Sequence, residues 1–103
     1  MAKIGTFTKD SKGVLRGSIH TLALNAELEI VPVEVTSEKA PNYRVYSKGS
    51  ELGAGWTQTS EQGTEYVSLK LDDLSFSAPI YVSLFKAEGP NEYSLLWQRP
   101  NGR

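Results

Sequence analysis

Along the chain, short runs rich in Val, Ile, Leu, Thr, Tyr, Phe and Trp give way to clusters of Gly, Pro, Asn, Asp and Ser roughly every 8 to 12 residues, the pattern of consecutive antiparallel strands. The runs predict strands near Ile4 to Thr8, Val14 to Leu22, Ala26 to Val35, Tyr43 to Ser47, Leu52 to Thr59, Tyr66 to Leu71, Ile80 to Phe85 and Tyr93 to Gln98. Side chains alternate across a strand, so Tyr93, Leu95 and Trp97 share one face of the last run, expected toward the core, and Ser94, Leu96 and Gln98 the other. In Ile80 to Phe85 both sets, Ile80, Val82, Leu84 and Tyr81, Ser83, Phe85, are largely apolar. That predicts a central strand covered on both sides. Glu27 and Glu29 alternate with Leu28 and Ile30, which puts both glutamates on one solvent face, and Pro32, lacking a ladder donor, predicts an edge or a bulge.

The connections supply the mechanism for these cuts. Lys9-Asp10-Ser11-Lys12-Gly13, Thr59 to Thr64 with Gly63, and Lys86 to Asn91 with Gly89-Pro90-Asn91 are hairpin turns, each ending near a residue able to take positive φ. Ser37 to Asn42, with Ala40-Pro41, predicts a longer loop. Leu71 to Pro79 fits at most one short helical turn near residues 72–77, capped by Asp72 or Asp73. No helical periodicity is sustained elsewhere, which disfavours a helix-turn-helix reader and a Rossmann unit. The expected fold is all-β: a single antiparallel barrel or two-layer sandwich, built as a meander of about seven to eight strands. Residues 1–103 form one domain in this reading, with a C-terminal tail from about residue 100.

Composition narrows the chemistry. With no cysteine there is no disulfide, iron–sulfur cluster or thiolate nucleophile, and with His20 as the one histidine there is no multi-histidine zinc site within a chain. Met1 to Thr8 lacks the apolar run of a signal peptide, and no stretch approaches the roughly 20 residues of a spanning helix, so the expectation is a cytoplasmic protein without a membrane role. Eleven Lys and Arg against 12 Asp and Glu give a net charge of −1, a weak basis for duplex DNA binding. Charge nonetheless comes in blocks: Lys3, Lys9, Lys12 and Arg16 early, then Glu27, Glu29, Glu34 and Glu38, then Lys39, Arg44 and Lys48. Blocks on adjacent strands either pair across the sheet or make the molecule two-faced.

Candidate sites are few. Asp72-Asp73 lacks calcium-loop spacing and reads as a cap, and His20 has no matched serine, acid or second ligand. Gly49, Gly53, Gly55 and Gly63 belong to no phosphate-loop motif. Glu51 to Trp56 reads instead as a strand whose small residues let another backbone or a large ring pack closely, with Trp56 as that ring, in the core or as an exposed platform. No catalytic residue, cofactor or metal site is predicted, and the expectation is a protein that is not an enzyme. Tyr43, Tyr46, Trp56, Tyr66, Tyr81, Tyr93 and Trp97 are interleaved with Arg44, Lys48, Lys70 and Arg99, a mixture also found on single-strand nucleic-acid surfaces.

Several blocks in one order carry a resemblance: Met1-Ala2-Lys3-Ile4-Gly5-Thr6-Phe7-Thr8, Lys39-Ala40-Pro41-Asn42-Tyr43-Arg44-Val45, Glu51-Leu52-Gly53-Ala54-Gly55-Trp56, Lys70-Leu71-Asp72-Asp73 with Phe76 and Ala78-Pro79-Ile80-Tyr81, and Tyr93-Ser94-Leu95-Leu96-Trp97-Gln98-Arg99-Pro100. From the first residue to about Pro100 the chain resembles the DUF736 family. These are small uncharacterised proteins common in alphaproteobacteria and often encoded on conjugative plasmids and integrative elements. Leu74 and Ser77 depart from the family's prolines, which implies a looser turn before Ile80. The resemblance implies a setting of horizontal transfer and no reaction.

Two function classes follow. The first is a non-catalytic binding protein of a mobile genetic element, acting on a protein partner in conjugation, replication or counter-defence through Arg44, Trp56, Lys70, Asp72, Asp73, Tyr81 and Arg99. The second is a single-stranded nucleic-acid-binding accessory protein, which requires Arg16, Arg44, Lys70 and Arg99 to converge beside an exposed ring. A homodimer is a further expectation, through an edge strand near Pro32 or through apolar surface that a small domain leaves uncovered.

Overall fold

The computed structural model describes residues 2–22, 25–73, 76 and 78–97. Among the described residues eight strands follow one another without a helix: β1 (Ala2–Lys9), β2 (Leu15–His20), β3 (Asn25–Pro32), β4 (Tyr43–Ser47), β5 (Ser50–Thr59), β6 (Glu65–Leu71), β7 (Ile80–Lys86) and β8 (Glu92–Trp97). Each pairs antiparallel with the next, and β8 pairs with β1, so the meander closes into a barrel. The 33 × 31 × 31 Å extents suit eight strands, whose interior is just wide enough to be filled by side chains.

Alternation fills it. Phe7, Leu15, Ile19, Leu28, Ile30, Val45, Leu69, Leu71, Val82, Leu84 and Leu95 are buried inside, and no polar side chain is buried among the described residues. Ile4, Leu52, Phe76, Ile80 and Trp97 pack against this core where β6 ends and β7 begins, and Tyr43, Val67 and Tyr93 pack toward the other end. The outer positions of β2 and β3 are polar or charged apart from Val31, with Arg16, His20, Glu27 and Glu29 all exposed. Among the described residues no helix is long and apolar enough to cross a membrane.

Closure depends on two bulges. Ile4 is the extra residue between Lys3 and Gly5 in β1, and Leu52 the extra residue between Glu51 and Gly53 in β5. Each sends an apolar side chain to the core and is followed by a glycine, and bulges with glycine kinks give a sheet the curvature to close. At Gly53 the approach is so close that a Cβ would overlap the Lys70 carbonyl oxygen, and at Gly17 one would overlap the Thr6 carbonyl oxygen and the Phe7 ring.

The barrel corrects two expectations. Pro32 ends β3 opposite Tyr43, and because every strand has two neighbours there is no edge there. β7 is not covered on both sides: Ile80, Val82 and Leu84 face the core, whereas Tyr81 projects outward and is 60% exposed. In the last hairpin Asn91, with φ 60°, takes the left-handed conformation, as asparagine tolerates it. The Phe76 N–H donates to the Asp73 carbonyl at 2.9 Å, one turn's bond in the segment where a helical turn is expected. Residues 74, 75 and 77 of that turn, and the tail from residue 98, lie outside the described residues.

The first hairpin carries the strongest local electrostatics. Asp10 Oδ1 accepts the backbone N–H groups of Lys12 and Val14, at 2.8 and 3.0 Å, while its Oδ2 pairs with the Arg16 guanidinium, whose Nε donates to Glu29 at 2.9 Å. The Arg16 hydrogen bond, helped by the two backbone donors, holds the Asp10 carboxyl below its ordinary value of 3.8. A carboxyl depressed in the folded state stabilises it above the unfolded value, and that contribution fades as pH falls through the folded value. Asp10→Asn keeps an acceptor for the turn and removes the charge. The variant should therefore melt below the parent near neutral pH, with the gap closing as the pH drops below the ordinary carboxylate range; thermal melts from neutral to strongly acidic pH test this, and a gap independent of pH contradicts it.

Candidate functional site

Among the described residues no polar side chain is buried, so the apolar core offers no buried set of convergent polar groups of the kind that fixes a ligand in a pocket. Chemistry is left to the outer wall, where cross-strand pairing arranges side chains in rows.

One row runs Val31, Arg44, Ala54, Lys70, Tyr81 across β3 to β7. Arg44 donates from Nη1 to Glu51 Oε2 at 3.3 Å, an exposed pair of small worth. Lys70 is exposed between the small Ala54 and the ring of Tyr81. Trp56 lies outward in the next row and is half-buried, so it is not the core ring expected as one alternative. The segment joining β3 to β4 returns over it: the indole N–H donates to the Lys39 carbonyl at 3.1 Å, Asn42 N–H donates to the Gly55 carbonyl at 2.8 Å, and Asn42 Oδ1 accepts Thr57 N–H at 2.9 Å. What packs closely against Gly53 is the β6 backbone. Asp72 and Asp73 follow β6 directly, exposed, with the Asp72 N–H donating to the Leu52 carbonyl at 2.8 Å. The structure thus gathers Arg44, Trp56, Lys70, Asp72, Asp73 and Tyr81 on one side of the barrel, and Arg99 lies outside the described residues.

Two further rows, not singled out by the sequence, complete this side. Trp56, Ser68, Ser83 and Leu96 align across β5 to β8. Beside them Gln58, Tyr66, Phe85 and Ser94 align, with the Tyr66 and Phe85 rings stacked at 5.0 Å and 16°. The signal was present in the alternation of β7, where Tyr81, Ser83 and Phe85 form the outer set.

The cations do not form one unopposed track. Arg16 faces Asp10 and Glu29, and Arg44 faces Glu51, with Glu29 on the strand between them, opposite Tyr46. On the opposite wall, Ser18 Oγ lies 2.9 Å from His20 Nε2, a serine–histidine pair set by their spacing on β2 and overlooked in the sequence. Both project from a convex strand face, His20 is exposed, and its cross-strand neighbour is Asn25 rather than an acid. Among the described residues no group of three or more His, Cys, Asp or Glu is placed to hold a metal.

A family model described as "Protein of unknown function (DUF736)" matches residues 3–100. The chain belongs to the DUF736 family. No curated protein and no solved structure matches it. The match runs from within β1 to beyond β8 and so covers nearly the whole barrel. For this DUF736 member the outer wall of β4 to β8 is the candidate site.

Proposed function

We propose that this protein is a non-catalytic binding protein of a mobile genetic element, acting by contact with a protein partner through the outer wall of β4 to β8. The observation that carries the reading is the placement of Trp56, Tyr66, Tyr81, Phe85 and Leu96 on the outside of a barrel whose interior is already filled. Outward aromatics are not needed for the core, and aromatic residues with few charges are the composition of interface centres. The DUF736 resemblance adds the setting, conjugation, replication or counter-defence in the cytoplasm of a bacterial host.

The test is affinity capture of tagged protein from its native host, with and without nuclease, using the parent, Trp56→Ala and Arg44→Ala. The reading expects a stoichiometric protein partner that survives nuclease and whose recovery falls at least about tenfold in Trp56→Ala, as for a buried interface anchor. Circular dichroism checks that the variant is folded. Recovery of single-stranded nucleic acid, with partners lost on nuclease, overturns it in favour of the nucleic-acid reading.

A further inference from the structure

We propose that a trough on the outer wall of β2 and β3 binds a small zwitterionic ligand, an amino acid or short peptide, whose carboxylate meets Lys48 and whose ammonium meets Glu27. The inference goes beyond the protein contact assigned to β4 to β8 and stands on different residues.

Register builds the trough. Across the two strands Arg16 faces Glu29, Gly17 faces Leu28 and Ser18 faces Glu27. Gly17 carries no side chain and Leu28 turns into the core, so the middle pair presents only backbone to the outside. The rows on either side stand about 7 Å apart, two residues along each strand. Together with Lys48, from the turn joining β4 to β5, these residues line a space of about 540 Å³ that is open to water. The turn is fastened at this place, since the Ser47 hydroxyl donates to the Glu27 carbonyl at 2.8 Å.

The charges that line it select the ligand. Arg16 is engaged, donating from Nε to Glu29 at 2.9 Å and from Nη1 to Asp10. Glu27 and Lys48 carry opposite charges and line the same trough, yet among the described residues neither is in an ion pair. A ligand offering a carboxylate to Lys48 and an ammonium to Glu27 satisfies both with charge-assisted hydrogen bonds, and the Ser18 hydroxyl in the Glu27 row adds a polar contact. A ligand with a single charge satisfies one of the two. The backbone at Lys48 is a second, independent observation. Lys48 takes φ 53° and Gly49 φ 84°, both positive, as the central pair of a two-residue hairpin turn. Asn-Gly is the favoured pair in such turns, because asparagine tolerates the left-handed conformation and a lysine side chain does nothing to offset it. Strain held at an exposed turn points to a use for the side chain, and this side chain lines the trough.

Titration of the isotope-labelled full chain with glycylglycine from about 0.1 to about 50 mM, followed through its amide chemical shifts, tests this, a span chosen for a small open site. Saturable shifts are expected at Gly17, Glu27, Leu28 and Lys48. Acetylglycylglycine, which lacks the ammonium, and glycylglycinamide, which lacks the carboxylate, should each bind at least about tenfold more weakly. Lys48→Asn should melt at or above the parent, since asparagine suits the turn, and yet bind glycylglycine at least about tenfold more weakly. Glu27→Gln, at an exposed position, should lose binding to the same extent with its fold intact. No saturable shift, equal binding of the three probes, or parent-like binding by Lys48→Asn overturns the proposal. A Lys48→Asn variant that melts well below the parent also overturns it, because the lysine would then serve the turn and not a ligand.

Discussion

Gly53→Ala should cost roughly 3 to 5 kcal/mol, a large share of the about 5 to 15 kcal/mol that holds a domain of this size together. The added methyl would overlap the Lys70 carbonyl oxygen and press on the Lys70 carbonyl carbon and the Leu71 Cα, all backbone of the paired strand β6. Backbone in a ladder cannot rotate aside as a side-chain end can, so relief requires β5 and β6 to separate and the curvature behind the Leu52 bulge to relax. Ala54→Ser, one residue on and facing outward, should change stability by no more than about 0.5 kcal/mol. Urea unfolding of the two variants beside the parent makes the comparison. Equal midpoints for Gly53→Ala and the parent would mean that this close approach is not what closes the barrel.

Phe7→Ala should cost about 3 to 5 kcal/mol and lower the melting temperature by on the order of 15 °C or more. Phe7 is fully buried, and its ring lies where a side chain at Gly17 would otherwise be, so phenylalanine and glycine share one volume across β1 and β2. Removing the ring leaves a void bounded by a position with nothing to fill it. Phe7→Leu, which keeps most of the volume, should lose less than half as much. Calorimetry checks both; a Phe7→Ala variant melting within a few degrees of the parent would show that the barrel collapses onto the gap.

The eight strands were legible because each announces itself locally. Period-two alternation in Leu15 to His20 or in Glu92 to Trp97, bounded by Gly13 or by Gly89-Pro90-Asn91, needs no knowledge of distant residues. Gly13 and Gly63 both adopt φ 85° in the turns where glycine predicts it. Trp56 was not legible in the same way. Counting alternation from Leu52 sends Ala54 and Trp56 inward, but the bulge at Leu52 shifts the phase by one, so Gly53 and Gly55 turn in and Ala54 and Trp56 turn out. A one-residue slip reverses every face that follows, and a bulge leaves only a glycine as its trace in the sequence. The candidate surface was half visible for the same reason: Arg44, Lys70 and Tyr81 could be chosen as residue types that a core does not require, but their alignment in one row depends on the registers of β4 to β7.

The sequence by itself determined that this protein is all-β, where its strands and turns fall, that its interior is apolar, and that it belongs to the DUF736 family. Tertiary structure alone decided barrel over sandwich, because closure is a pairing of residues 2–8 with residues 92–97 from the far end of the chain, and no local pattern encodes a contact at that separation. It also decided that the outer set of β7 faces water, since a closed sheet has a single interior while a sandwich strand of the same composition can be covered on both sides.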